Sequence, residues 1–335
     1  MTETTTNFQD ITITVKKTKP KPSVVYDTYW QFIAKRQDVF FKRFENALYP
    51  WSDDNILNEY KFTNVYRATD RVSQFLIKNI IYNGSQEPKE LFFRIILFKI
   101  FNRISTWEFI EQELGEITLK NYSYDIYNKL LSDLLKSKTP IYSAAYIMAS
   151  GRSTFGMERK HQNHLKLIEK MLNDNLPFKI QRCMNMEEAY NLLLSYSTVG
   201  EFLAYQYVTD LNYSTLTNFS EIEFVKAGPG AKDGIIKCFT SLGDYSYEDI
   251  IRFMCDNQEL EFDRLGLNFR NLWGRDLQLI DCQNVFCEVD KYSRVFHPNI
   301  LGLSNRSRIK QKFKLQEKEN INFYFPPKWN INNLI

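Results

Sequence analysis

No stretch of the 335-residue chain approaches the roughly 18 consecutive apolar residues needed to cross a bilayer. The opening Met1-Thr-Glu-Thr-Thr-Thr6 lacks the basic-then-apolar order of a secretion signal. A cytoplasmic protein is therefore expected, or a nuclear one in a host with a nucleus. Cysteine is scarce: Cys183, Cys238, Cys255, Cys282 and Cys287 are odd in number and form no Cys-x-x-Cys pair. That pattern excludes a disulfide framework or a zinc finger and fits reduced thiols. His161 and His164 stand three apart on one helical face, but two ligands do not make a metal site, and a core or surface role is expected instead. Neither a metal nor a cofactor is implied. A large charge of one sign is also missing, the formal balance being +3, so any nucleic-acid partner must be met by a local basic face. There is no internal repeat, no Ser/Gly-rich linker and little period-two alternation. These absences leave a mainly α architecture, with at most short strands near the C-terminus.

What is present is an apolar fraction of 44%, enough for a large core in one or two closely packed domains. Residues 1–22 are Thr- and Lys-rich, end in Lys19-Pro-Lys-Pro22, and read as a flexible basic arm. Residues 23–300 carry helical spacing, and 301–335 read as a basic tail in which Arg306, Arg308, Lys310, Lys312 and Lys314 alternate. Both basic runs fit either a solvated face or a phosphate-contacting one.

From Val25 the apolar positions recur at helical spacing until Pro50, and Ser52-Asp-Asp-Asn55 offers helix caps before Ile56. Helices are expected over Asp70–Ile81, Lys89–Trp107, Tyr124–Leu135, Tyr142–Ala149, Arg159–Asn173, Met186–Ser195 and Gly200–Leu211. They are expected again over Glu221–Val225, Ala231–Leu242, Tyr247–Glu261 and Asp281–Ser293. The Lys89–Trp107 segment is apolar almost all round, so Arg94, Lys99, Asn102 and Arg103 within it must reach solvent or find partners.

Two constellations could carry chemistry. Phe224-Val-Lys-Ala-Gly-Pro-Gly-Ala-Lys232 places Gly228 and Gly230 in a tight turn, where free amides opening the next helix can donate to a phosphate. Leu279-Ile-Asp-Cys-Gln-Asn284 then introduces Asp281 at a helix start, with Glu288, Lys291 and Arg294 on later turns; helix capping is the competing account of that acid. Asn64, Tyr66, Arg67, Arg71, Arg94, Asn102, Tyr205, Asp210, Gln283 and Asn284 are polar or aromatic residues set in segments otherwise built for burial. They suggest one shared polar cleft, for which interhelical ion pairs are the alternative explanation.

A Gly-Pro-Gly-Ala-Lys turn followed by Ile280-Asp281 at a later helix start resembles the helix-hairpin-helix DNA glycosylases. That resemblance implies a strand-gripping hairpin at about 221–240, a catalytic segment at 279–294 and Asp281 as the acid that stabilises cationic sugar. It also places Lys232 where lyase-type members carry a Schiff-base lysine. The 49-residue separation of Lys232 from Asp281 requires an insertion around Tyr245–Trp273. A narrower likeness rests on five ordered segments: Phe62-Thr-Asn-Val-Tyr-Arg67, Leu91–Arg103 with Trp107, Tyr205–Tyr213, the Gly-Pro-Gly turn and Leu279–Arg294. These are similar to the α-glutamyl/putrescinyl-thymine pyrophosphorylases, grouped with the helical domain of 5-hydroxymethyl-deoxyuridine DNA kinases. The likeness implies DNA containing modified pyrimidines as partner, with base excision, group exchange or bare recognition as the possible acts. It further implies Asn64, Tyr66, Arg67, Asn102, Tyr205, Gln283 and Asn284 around a flipped base, and Gly228, Gly230, Lys232, Lys291 and Arg294 on phosphates. The kinase reaction itself is not expected, because no Gly-x-x-x-x-Gly-Lys-Ser/Thr loop occurs.

Overall fold

The computed structural model describes residues 18–315 and 322–335; residues 1–17 of the expected arm and 316–321 of the expected tail lie outside the described residues. The chain is mainly helical, with a single small antiparallel ribbon among the described residues. Helix α1 (Val24–Phe44) starts where the Ser23 side chain accepts from the Val25 amide, and Asp54 caps α2 (Asn55–Glu59) through the Ile56 and Leu57 amides. After α3 (Arg71–Phe75) the chain runs straight into a π-helical turn, Leu76–Ile81.

Helix α4 (Pro88–Phe101) is the central pillar, buried without a break from Leu91 to Phe101. Each fully buried Leu, Ile or Phe there contributes about 1.5–3 kcal/mol. Its one-sided neighbours account for both internal charges. Arg94 donates to Ile80 O at 3.1 Å and Ser85 O at 2.7 Å, closing the end of the π-turn, while Lys99 points the other way. The helix ends short of the expected Trp107 because Asn102 adopts φ +48, its amide donating to Phe98 O, and α5 (Ile104–Leu114) starts afresh.

The middle of the chain supplies α6 (Tyr124–Lys136), α7 (Arg152–Phe155), α8 (Lys160–Asn173), α9 (Leu176–Gln181), α10 (Met186–Leu194) and α11 (Glu201–Asn212). The rest supplies α12 (Pro229–Cys238), α13 (Tyr247–Asp256), α14 (Gln258–Arg264) and α15 (Leu279–Phe296). Helices α13 and α14 fill the insertion required between Lys232 and Asp281. Strand β1 (Lys21–Pro22) pairs with β2 (Phe239–Ser241), so the last residues of the expected arm lie along the end of α12.

Two expected helices do not form. Tyr142–Ala149 is irregular: Tyr142 Oη lies 2.9 Å from His164 Nδ1, Tyr146 takes φ +59, and Ala149 O accepts from His164 Nε2 at 2.7 Å. Glu221–Val225 is likewise not helical, so the Gly-Pro-Gly turn has a helix only after it and the expected hairpin of two helices at 221–240 is absent.

The helices fall into two groups. One packs α1, α12 and α13 around α15; the other packs α8, α9 and α11 around α4. The Phe62–Asp70 segment passes between them. Described residues beyond 301 also lie on this body: Ser304 and Arg306 hold Asp233 of α12, the backbone at Gln311–Phe313 bonds to Glu59–Lys61, and Phe325 and Ile331 are buried. Arg308, Lys310 and Lys314 remain exposed.

His161 and His164 are both buried, and burial pushes His164 down to about 4. A depressed folded-state value means stability is present above the usual histidine range and is lost as pH falls toward 4. At pH 5 the loss is roughly 2 kcal/mol. Urea titrations at pH 7 and pH 5 should therefore give a smaller difference for His164→Gln than for the wild type; equal differences would show that His164 stays neutral in neither state.

Candidate active site

Helix α15 begins at a reciprocal cap: the Gln278 amide donates to Asp281 Oδ2 at 3.1 Å, and the Asp281 amide donates back to the Gln278 carbonyl at 3.0 Å. The other carboxylate oxygen, Oδ1, accepts from the Arg67 amide at 2.8 Å. Both oxygens are thus fixed by backbone donors on two different elements, with the side chain almost wholly buried. Burial pushes the Asp281 carboxyl up to about 6, against the pull of the Arg67 and Gln278 amides and of Arg275, while Glu221 adds to the rise.

The residue that holds Asp281 by its backbone reaches into the other helix group with its side chain. The Arg67 guanidinium pairs with Asp210 Oδ1 at 2.8 Å and donates to Tyr213 Oη at 3.1 Å and Gln206 Oε1 at 3.2 Å, all on or just after α11. From α4, Lys99 Nζ pairs with Asp210 Oδ2 at 3.1 Å, donates to Asn102 Oδ1 at 2.8 Å, and sits 4.7 Å from the Tyr146 ring centroid. Asp210 is fully buried; burial would raise its carboxyl, but Arg67 and Lys99 outweigh that and hold it below the usual range. Burial lowers Lys99, only partly opposed by Asp210. Formally, two buried cations face one carboxylate.

A third wall comes from segments that are not helical. Tight backbone over Asn271–Arg275, with Trp273 and Gly274 both at positive φ, presents Arg275, whose carbonyl accepts from Tyr66 Oη at 2.7 Å. The Arg275 guanidinium pairs with Glu221 at 2.9 Å and lies 3.8 Å from the Trp329 ring centroid. Trp329 Nε1 donates to Glu221 Oε1 at 2.9 Å, and its ring meets Tyr213 edge-on at 5.6 Å. A cleft of about 400 Å³ opens beside it, lined by Trp273, Arg275, Gln278, Trp329, Asn330 and Leu334 among others.

Of the residues singled out in the sequence, Asp281, Arg67, Asp210 and Tyr205 converge here, with Tyr66 joined through Arg275 and Asn102 through Lys99. Others do not. Asn64 shapes its own loop, accepting from Arg36 at 2.6 Å, donating to Thr69 O, and giving its amide to Asp70. Asn284 donates to Thr63 Oγ1, Glu288 accepts from the Thr63 amide and pairs with Lys291 at 2.7 Å, and Arg294 pairs with Asp290. These lie on a neighbouring stretch of α15 and take partners there rather than at Asp281. Gln283 touches Cys287 and sits against Gly228. Arg94 serves the π-turn, and Arg71 is exposed. Lys232 lies 5.4 Å from the Tyr247 ring centroid, and among the described residues no hydrogen bond or ion pair joins it to Asp281. Gly228 and Gly230 have ordinary negative-φ backbone; they are needed for close approach, to Phe202 and Cys287 respectively. Gln206, Tyr146, Glu221, Arg275 and Trp329 are members that the sequence reading missed.

The fold and this centre together define an all-helical domain built around a buried acid and a cation-rich polar cluster, with only short β elements at its edge. A sequence model of the helical domain of 5-hmdU DNA kinases matches residues 23–302, and the chain belongs to that family. A 5-hmdU DNA kinase of Bacillus phage SP10 is 27% identical over 308 residues, 85% of this chain and 47% of the relative. The chain thus spans about half the length of the curated relative it matches. No solved structure matches it. Among the described residues no helix is long and apolar enough to cross a membrane.

Proposed function

We propose that the chain is an enzyme acting on a hydroxymethylated or otherwise modified pyrimidine flipped out of DNA, and that it excises the base with Asp281 at the reacting centre. The observation that carries this reading is the fixed, buried Asp281 carboxylate, gripped by two backbone amides at the junction of both helix groups. An acid so held cannot swing away to pair with a cation, and the two amides use only two of its roughly four lone-pair directions. Similarity to the phage 5-hmdU DNA kinase supports the choice of substrate. In excision the C1′–N1 electron pair leaves with the base, ionised Asp281 offsets the positive charge developing on the sugar, and water adds at C1′, its lost proton ending on the departed base anion. Donors such as Arg67 would assist departure of the base. Gly228, Gly230 and Lys232, at the start of α12, would contact the strand backbone.

Duplexes bearing thymine, 5-hydroxymethyluracil, its pyrophosphorylated form or 5-hydroxymethylcytosine, incubated with protein and read by mass spectrometry, test the proposal. Wild type should release one base, and Asp281→Asn should slow release by about 10²- to 10⁴-fold while DNA binding persists. The rate should rise with pH through about 6, as Asp281 ionises, and the variant should lack that limb. Unchanged DNA across the panel, with binding intact, would make the protein a recognition module.

A second reading, exchange of a pyrophosphorylated hydroxymethyl group for an amine, is favoured by one feature: Arg67 and Lys99 exceed Asp210 by one formal charge. That excess suits a departing pyrophosphate. An amine-dependent mass change, with pyrophosphate released and lost in Lys99→Met, would select it.

A further inference from the structure

We propose that the slot between Arg275 and Tyr213, edged by Glu221, is the seat of the flipped base, and that Trp329 occupies it as a built-in stand-in. This deepens the reading of the protein as a modified-base enzyme and rests on it. The indole meets every demand that a nucleobase would make. Its face lies under a guanidinium at 3.8 Å, its edge N–H donates to a carboxylate at 2.9 Å, and a tyrosine ring stands perpendicular at 5.6 Å. A uracil ring presents N3–H on its Watson–Crick edge to the same carboxylate, and a cytosine its 4-amino group.

The slot also leads to the reacting acid. Tyr213 Oη accepts from Arg67, whose amide holds Asp281; Gln278, whose amide holds the other oxygen, lines the cleft beside Trp329. Asp281 is buried in this arrangement, so a base can reach it only if something now in place gives way. Trp329 lies in that path and belongs to no α-helix. It sits on a single 3-10 turn, Pro327–Trp329, anchored by Lys328 on the carbonyls of Asn212, Ser214 and Thr217, at and just after the end of α11. The pairing of Glu221 with Arg275 also explains why two polar side chains from irregular segments face each other here: with Trp329 gone they remain as a hydrogen-bonding edge and a cationic lid for a planar ring.

The test is fluorescence anisotropy with a duplex carrying one 5-hydroxymethyluracil opposite guanine, beside the same duplex with an abasic site and with cytosine. Trp329→Ala should bind the 5-hydroxymethyluracil duplex at least tenfold tighter than wild type, because the competitor is removed, and gain little on the abasic duplex. Glu221→Gln added to Trp329→Ala should erase most of that gain. Trp329→Phe, which keeps a packed ring but has no edge donor, should gain by an intermediate factor and serves if Trp329→Ala does not fold. Equal affinities of the Trp329 variants and wild type for the modified duplex, or losses that are the same on the abasic one, would overturn the slot and make Trp329 a packing residue. Failure of the underlying reading looks different: wild type itself would show no preference for the modified duplex over the cytosine one.

Discussion

Asp210→Asn should be the most damaging substitution among the polar residues, lowering stability by roughly 4 kcal/mol, as loss of one partner of a buried ion pair does. With about 2.1 cal/mol/K of unfolding entropy per residue, that is a fall in Tm of about 6 °C for a chain of this length. The cause is specific. Asp210 is the carboxylate against which both Arg67 and Lys99 are paired, and all three side chains are at most 5% exposed. An amide leaves two buried cations without a counter-charge. Lys99→Met removes the surplus cation and leaves Arg67 and Asp210 matched, so it should cost less than half as much, its main penalty being the orphaned Asn102 side chain. The double variant should be more stable than the sum of the two predicts. Thermal or urea unfolding of the four proteins measures this; strict additivity would mean that the three groups do not share one electrostatic centre.

The helical framework was legible where spacing and caps agreed. α6, α8, α10 and α11 stand within a residue of their expected positions, and α15 within three, because each has an apolar stripe at period 3.6 and a polar residue at its start. Tyr142–Ala149 has comparable apolar spacing but is claimed by His164, which bonds to both ends of the segment, a contact no local pattern announces. The site was legible in part for the same reason that α4 was informative: a charge inside an apolar stripe must have a partner. Arg67, Asp210 and Lys99 found one another. Asn64, Lys291 and Arg294 look equally out of place in the sequence, but Asn64 is met by Arg36 of α1, and Lys291 and Arg294 by Glu288 and Asp290 one turn back on α15. Glu221, Arg275 and Trp329 sit on irregular segments, where periodicity carries no information. The signal available was compositional: Phe323-Tyr-Phe-Pro-Pro-Lys-Trp329 is too aromatic for a tail that stays in solvent.

Gly234→Ala should exceed any change in the Gly-Pro-Gly turn, although the turn is the feature the sequence advertises. A Cβ on Gly234 would stand 2.0 Å from Phe286 O and 2.7 Å from its carbonyl carbon, where the backbones of α12 and α15 touch. No rotamer change relieves a clash with backbone, so the helices must separate, at a cost of about 3 kcal/mol or more. A Cβ on Gly230 would meet Cys287 Sγ at 3.0 Å and one on Gly228 the Phe202 ring at 2.9 Å, both side chains that can turn aside. Stability should therefore fall most in Gly234→Ala, then Gly228→Ala, then Gly230→Ala. Function should follow the same order by a second route. Phe286 is one and a half turns from Asp281 on α15, and a helix pushed off α12 carries the Asp281 carboxylate away from the Arg67 amide. Displacement of about 1 Å at a reacting group costs roughly 100-fold in rate. Turnover measured well below the variant's Tm separates this from simple unfolding. A Gly228→Ala protein that loses DNA binding while Gly234→Ala keeps both fold and rate would show that the turn's contact with the strand, and not the seating of α15, is what these glycines serve.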